Sequence, residues 1–129
     1  MYDSDERMTA LLVKLNKLTS MDKLVWHPAT PPAAITRGTD QHVSAFMTAT
    51  YRDARFGIFQ QRYQSYDGQR ERFYWSERVV LTILDAQGNV LWELSNNSPA
   101  LVDLFDKVRS KVAGVDRILD ELLSEEEDT

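Results

Sequence analysis

His27 and His42 are the only side chains whose ordinary pKa lies near neutral pH, so any general-base chemistry would begin with one of them. His42 stands two residues after Asp40 and two before Ser44, an arrangement that could cast Asp40 as orienter, His42 as base and Ser44 as nucleophile. Positions i and i+2 of a strand share a face, but neither side chain is aimed at the other. His42 is therefore expected as a surface residue at the start of a strand. His27 precedes Pro28, which restricts its backbone, and is expected to be held by that proline rather than to act in catalysis. Two histidines with acidic neighbours could bind a divalent metal, yet no spacing requires it. The chain has no cysteine, hence no thiol nucleophile, thiolate metal site or disulfide. Its five glycines stand apart, so no phosphate-cradling loop is present. No catalytic, cofactor-binding or metal-binding residue is assigned, no cofactor is implied, and the balance leans against an enzyme.

A second constellation has a different chemistry. Arg62, Tyr63, Tyr66, Arg70, Arg72, Phe73, Tyr74, Trp75 and Arg78 interleave aromatic rings with guanidinium groups. Single-stranded nucleic acid is bound this way, with bases stacked on rings and phosphates neutralised by arginine. Tyr, Trp and Arg are also the residues that dominate protein interfaces. A third possibility is a plain sheet surface on which the arginines pair with Glu71 and Glu77. The net charge of −5 counts against nucleic acid as the main partner, although a local basic patch can override it.

That charge is unevenly placed. Asp116, Asp120, Glu121, Glu125, Glu126, Glu127 and Asp128 crowd the end of the chain against Arg117 alone. The same region carries a strict 4-3 apolar repeat: Leu101, Phe105, Val108, Val112, Val115, Leu119 and Leu122. This spacing predicts one apolar stripe on a helix from Pro99 to Leu123, with Ser98 as N-cap and Pro99 at the first helical position. Such a helix would be about 37 Å long. Ala113-Gly114 interrupts it and marks either a kink or a close approach by another backbone. The stripe suits packing on a sheet; a coiled-coil seam is the alternative.

Upstream, Asp3 to Thr19 reads as a first helix with Met8, Leu11, Leu12, Leu15 and Leu18 on its apolar face. Leu24 and Trp26 are expected to pack on the core, and Pro28, Pro31 and Pro32 to form a stiff connection around the domain edge. From His42 to Leu94 the pattern is antiparallel sheet. Strands are expected at 43–51, 55–63, 77–84 and 90–94, with turns at Arg52-Asp53-Ala54, Asp67-Gly68 and residues 85–89. Leu15, Leu81, Ile83, Trp92, Leu104, Phe105 and Val108 should be mostly buried together. The expected fold is α+β: an antiparallel sheet of four to five strands with an N-terminal and a long C-terminal helix packed on one face. Residues 1–129 read as a single domain, with Glu125 to Thr129 a frayed acidic tail. The stretch around Asp3, Asp5 and Glu6 lacks the layout of a signal peptide, and a cytoplasmic protein is the default.

Two segments carry a resemblance. Leu18-Thr19-Ser20-Met21-Asp22-Lys23-Leu24-Val25-Trp26 fits L-T-x-x-x-K-L-x-W, and Asp85-Ala86-Gln87-Gly88-Asn89-Val90-Leu91-Trp92 fits D-x-x-G-x-x-L-W. The layout resembles small bacterial α+β proteins of uncharacterised function. The resemblance implies this fold and no activity.

The leading expectation is a non-enzymatic protein-interaction module that forms a homodimer and binds a partner protein, without membrane contact. The candidate interaction surface is Arg62, Tyr63, Tyr66, Arg70, Arg72, Tyr74, Trp75 and Arg78. The candidate dimer contacts are Val115, Ile118, Leu119 and Leu122, because a helix of this length outruns the sheet beneath it. Nucleic-acid binding through residues 62–78 is the alternative. A small-molecule-binding or enzymatic pocket between sheet and helices is the second alternative.

Overall fold

The computed structural model describes residues 4–32, 42–96 and 98–127. Helix α1 spans Ser4–Ser20. Strands follow at His27–Pro28 (β1), His42–Tyr51 (β2), Ala54–Asp67 (β3), Arg72–Leu84 (β4) and Val90–Asn96 (β5). Helices α2 (Pro99–Ala113) and α3 (Val115–Glu127) complete the order. The strands form one antiparallel meander in the order β1-β2-β3-β4-β5, so the α+β expectation holds.

One sheet face carries the core. Met47 and Ala49 of β2, Phe56 and Ile58 of β3, and Val79 and Leu81 of β4 meet Leu12, Leu15 and Leu18 of α1 and Leu101, Leu104, Phe105 and Val108 of α2. Ile83, Trp92 and Leu94 pack against this cluster while keeping partial exposure. The expected core residues thus gather as read, with Ile83 and Trp92 at its margin. Lys107 joins the two helices, its ammonium donating to Asn16 Oδ1 at 2.7 Å and to Ser20 Oγ. Lys111 pairs with Asp22 at 3.1 Å.

The L-T-x-x-x-K-L-x-W segment has a physical account. Thr19 caps its own helix from within, its hydroxyl donating to the Leu15 carbonyl at 2.8 Å and accepting from Trp26 Nε1 at 3.0 Å. Both residues are buried, so the only polar atom of the indole is satisfied as the ring enters the core. Asp22 turns the chain in the left-handed region (φ 57°), and the amides of Lys23 and Leu24 close back onto the Leu18 carbonyl.

The opposite face holds a smaller cluster of Phe46, Phe59, Val80 and Leu84, with Ala29, Val43 and Val90 against it. A bulge in β2 aims Phe46 there. Ser44 pairs with Gln60 and Met47 with Ile58, so Ala45 and Phe46 together oppose Phe59. Ala45 takes up the extra residue at φ 54°. Gly57 makes room for the ring: a Cβ at this position would lie 2.7 Å from Thr82 Oγ1 and 3.1 Å from Phe46 Cζ. The proline-rich segment runs along this side. Ala29 donates its amide to the Phe46 carbonyl, and Pro32 sits close to Gly88.

The β4–β5 loop is organised by Asp85. Its carboxylate accepts from the backbone amides of Gln87 (2.9 Å) and Asn89 (2.8 Å) and from the Asn89 side chain (2.9 Å). The Asn89 side-chain amide, with the backbone amides of Asn89, Gln87 and Gly88, holds the Asp85 carboxyl below its ordinary range.

The long C-terminal helix is not continuous. Ser98 caps α2 as expected, its hydroxyl accepting from the Leu101 amide at 3.3 Å. Gly114 then ends α2 in the left-handed conformation (φ 65°, ψ 38°), its amide bonding back to Lys111 and Ser110. Helix α3 starts afresh at Val115 and continues through Glu125 into the stretch expected to fray. Among the described residues no helix is long and apolar enough to cross a membrane.

Phe105→Ala should lower stability by about 3–5 kcal/mol in denaturant melts, the usual cost of removing a core ring. Asp85 should show its role through pH. A carboxyl lowered in the folded state stabilises above the unfolded carboxyl pKa, and that contribution disappears as pH falls through the folded value. The urea midpoints of wild type and Asp85→Ala should therefore differ at neutral pH and converge as the solution is acidified.

Candidate interaction surfaces

Strands β3 and β4 pair without a break from Arg55↔Leu84 to Asp67↔Arg72. Among the described residues, β2 pairs with β3 as far as Arg62, through His42, and β5 pairs with β4 as far as Val79, through Asn96. The last five pairs, Tyr63↔Ser76 to Asp67↔Arg72, therefore extend as a two-stranded arm past the described part of both flanking strands. At about 3.4 Å per residue this arm is roughly 17 Å long. The sequence pattern predicts strands at 55–63 and 77–84; the pairing adds Gln64 to Asp67 and Arg72 to Ser76.

Nearly the whole Arg/aromatic constellation sits on this arm or at its base. Alternation continues the faces of the sheet outward. On the face continuous with the core lie Arg62, Gln64 and Tyr66 opposite Glu77, Trp75 and Phe73. Arg62 stacks over Trp75 at 5.1 Å and pairs with Glu77 at 3.6 Å, while the Tyr66 and Phe73 rings are 5.1 Å apart. On the other face Arg78 lies over the Tyr63 ring at 4.8 Å and donates to Gln61 at 2.7 Å. Ser65 and Ser76 bond to each other, and Tyr74 and Arg72 follow toward the tip. Asp67 builds the turn by accepting from the Gln69 and Arg70 amides, and its carboxylate lies 3.8 Å from Arg70 Nε. A hollow of about 420 Å³ at the tip is lined by Asp67, Arg70, Arg72, Phe73 and Tyr74.

Tyr66, Phe73, Tyr74 and Trp75 keep 45% to 66% of their surface in water. Four such rings on a short projecting ribbon form an exposed patch of the kind that marks interaction sites. The clue available in the sequence was Asp67-Gly68, a turn midway between two aromatic runs.

The second surface is α3. Val115, Ile118, Leu119, Leu122 and Leu123 are 38% to 57% exposed, although their spacing places them on one stripe. The first half of the 4-3 repeat is absorbed by the core through Val108, with Val112 partly buried at its edge. Gly114 redirects the second half away from it. The candidate dimer contacts and most of the candidate interaction surface are thus exposed, with Tyr63 and Arg78 half-buried.

The weaker candidates come apart. His27 sits in β1, exposed, opposite Thr48. His42 begins β2 opposite Arg62, but its side chain, that of Ser44 and all of Asp40 lie outside the described residues. Among the described residues no group of three or more acidic or histidine side chains is arranged to hold a metal ion. Between sheet and helices there is a shallow hollow of about 230 Å³, lined in part by Gln60, Glu77, Phe105 and Arg109. A wider, open hollow of about 1010 Å³ lies at the end of the sheet away from the arm, between the β2–β3 turn and the Asp85 loop. Its walls include Tyr51, Ile83, Leu84 and Leu91, with Arg52, Asp53 and Arg55 at the turn.

No family model matches the chain, and neither a curated protein nor a solved structure shows significant similarity to it.

Proposed function

We propose that this protein is a non-enzymatic interaction module that assembles with copies of itself and docks a partner protein. The observation that carries this reading is the apolar stripe of α3, five aliphatic side chains between 38% and 57% exposed on one helical face. Fully burying an exposed aliphatic side chain is worth about 1.5–3 kcal/mol, and these five have about half of that still to gain, which favours association. The aromatic arm supports the second half of the reading, since Tyr, Trp and Arg are the usual anchors of protein contacts. The composition and the two resembling segments support a cytoplasmic, bacterial setting for the module.

Sedimentation equilibrium at tens of micromolar tests the reading. The wild-type chain should exceed its monomer mass of 14.9 kDa. Leu119→Glu, which places a charge in the centre of the stripe, should sediment as monomer while keeping the wild-type circular dichroism of the sheet. A wild-type chain that stays monomeric would remove the proposal.

The tip of the arm favours one alternative. Arg70 and Arg72 flank exposed rings around the tip hollow, the pairing that single-stranded nucleic acid uses. Binding of a short single-stranded oligonucleotide through this site should weaken steeply with salt. Arg70→Ala with Arg72→Ala should lower the affinity and flatten the salt slope. Absence of binding at low salt would leave the arm to proteins.

A further inference from the structure

The two edges of the sheet are finished differently. On one side β1 contributes only His27 and Pro28, Pro28 has no amide to offer, and the bulge at Ala45 breaks the regularity of β2. Each of these devices discourages a foreign strand from adding to an edge. On the other side β5 pairs with β4 and with no described strand beyond it. Val90–Asn96 contains neither proline nor lysine, and its one irregularity lies at Leu91, before the regular run from Trp92 to Asn96. In that run alternate residues turn their N–H and C=O groups away from β4.

The core is also unfinished at this edge. Ile83 and Trp92, directly opposite each other, are partly exposed, and so is Leu94. All three lie on the face covered by the helices. On the other face Glu93 is exposed and has no hydrogen-bond or ion-pair partner among the described residues.

A free row of backbone groups accepts one shape of partner, an extended strand, and the side chains beside the row select its sequence. Trp92 and Leu94 call for apolar residues on the helix-covered face. Glu93 between them calls for a basic residue on the opposite face. A second copy of β5 does not meet this pattern. The two-fold register that pairs all seven residues, Val90 against Asn96, sets Glu93 against its own counterpart, and like charges directly opposite are destabilising.

We propose that β5 accepts an extended segment of a partner protein as a sixth strand. The segment carries an apolar residue, a basic residue and an apolar residue in succession, the basic one opposite Glu93 and the apolar ones extending the core beside Trp92 and Leu94. This inference deepens the partner-docking half of the function proposed above, adds a site separate from the arm, and does not depend on the α3 stripe.

Amide hydrogen exchange tests it. In the free protein the amides of β5 that donate to β4 should exchange slowly and the alternate ones fast. The probe is the end-blocked peptide Ser-Thr-Val-Lys-Val-Thr-Ser, which reads the same in both directions and so fits either strand orientation. At about 1 mM it should slow the fast set about fivefold, as a Kd of about 0.25 mM gives. The same peptide with glutamate for lysine should bind about threefold or more weakly, because like charges then stand opposite each other. Glu93→Lys, with thermal melting unchanged, should reverse that preference. Equal slowing by both peptides, or slowing by neither, overturns the proposal. So do alternate amides that are already slow without peptide: if dilution speeds them, a second copy occupies the edge, and if it does not, the chain itself covers it. Failure here leaves the arm as the docking surface, while a monomeric wild type in sedimentation leaves the exchange result standing.

Discussion

Thirteen consecutive pairs between β3 and β4 organise this molecule. Because side chains alternate across a strand, each of these strands presents a row of residues to either face over its whole length. Near the β2–β3 turn both faces are covered, and both rows are apolar: Phe56, Ile58 and Leu81 face the helices, while Phe59, Val80 and Leu84 face the smaller cluster. Past Arg62 and Val79 the described pairing of the flanking strands ends. The ladder continues, but nothing described beyond it shields the side chains, and the rows change to tyrosine, tryptophan, serine and arginine. Core and arm are thus two regimes of a single hairpin.

Much of the fold could be read in the sequence because local and tertiary preferences agree there. The apolar period of α1, the Ser98-Pro99 start of α2 and the Asp85–Asn89 loop each have a local chemical signal that the packing reinforces. The extension of β4 back to Arg72 was hidden because Arg72 to Ser76 show no apolar alternation. Their strand character comes from pairing with β3 across the turn. The β2 bulge was hidden for another reason. An alanine with positive φ leaves no mark in the sequence, and Ala45 alone decides which face receives Phe46. At Gly114 two signals conflicted. The 4-3 repeat runs through the glycine unbroken, whereas the backbone stops there, so the seven residues of the stripe belong to two helices with different surroundings.

The candidate surfaces were legible as residue types and not as geometry. Arginines and rings between 62 and 78 could be listed, yet their meaning depends on which are already engaged. Arg62 and Arg78 each lie over a ring and have a polar side-chain partner, and Arg70 is near Asp67 in the turn. These contacts hold the rings of Trp75 and Tyr63 in place. The exposed pairs among them add little to stability. Their effect is to keep a projecting ribbon ordered while its aromatic surface stays open.

The left-handed glycine between α2 and α3 has a thermodynamic consequence. Gly114 closes the hydrogen-bond ladder of α2, so α3 does not inherit a nucleus from it and must pay for its own first turn. Thirteen residues is the length at which a helix in water is only marginally stable by itself. If the stripe is buried in the self-association proposed above, folding of this segment and assembly of the protein form one coupled equilibrium. Helix content at the C-terminal end would then depend on protein concentration, and dilution would act on it as a mild, local denaturant.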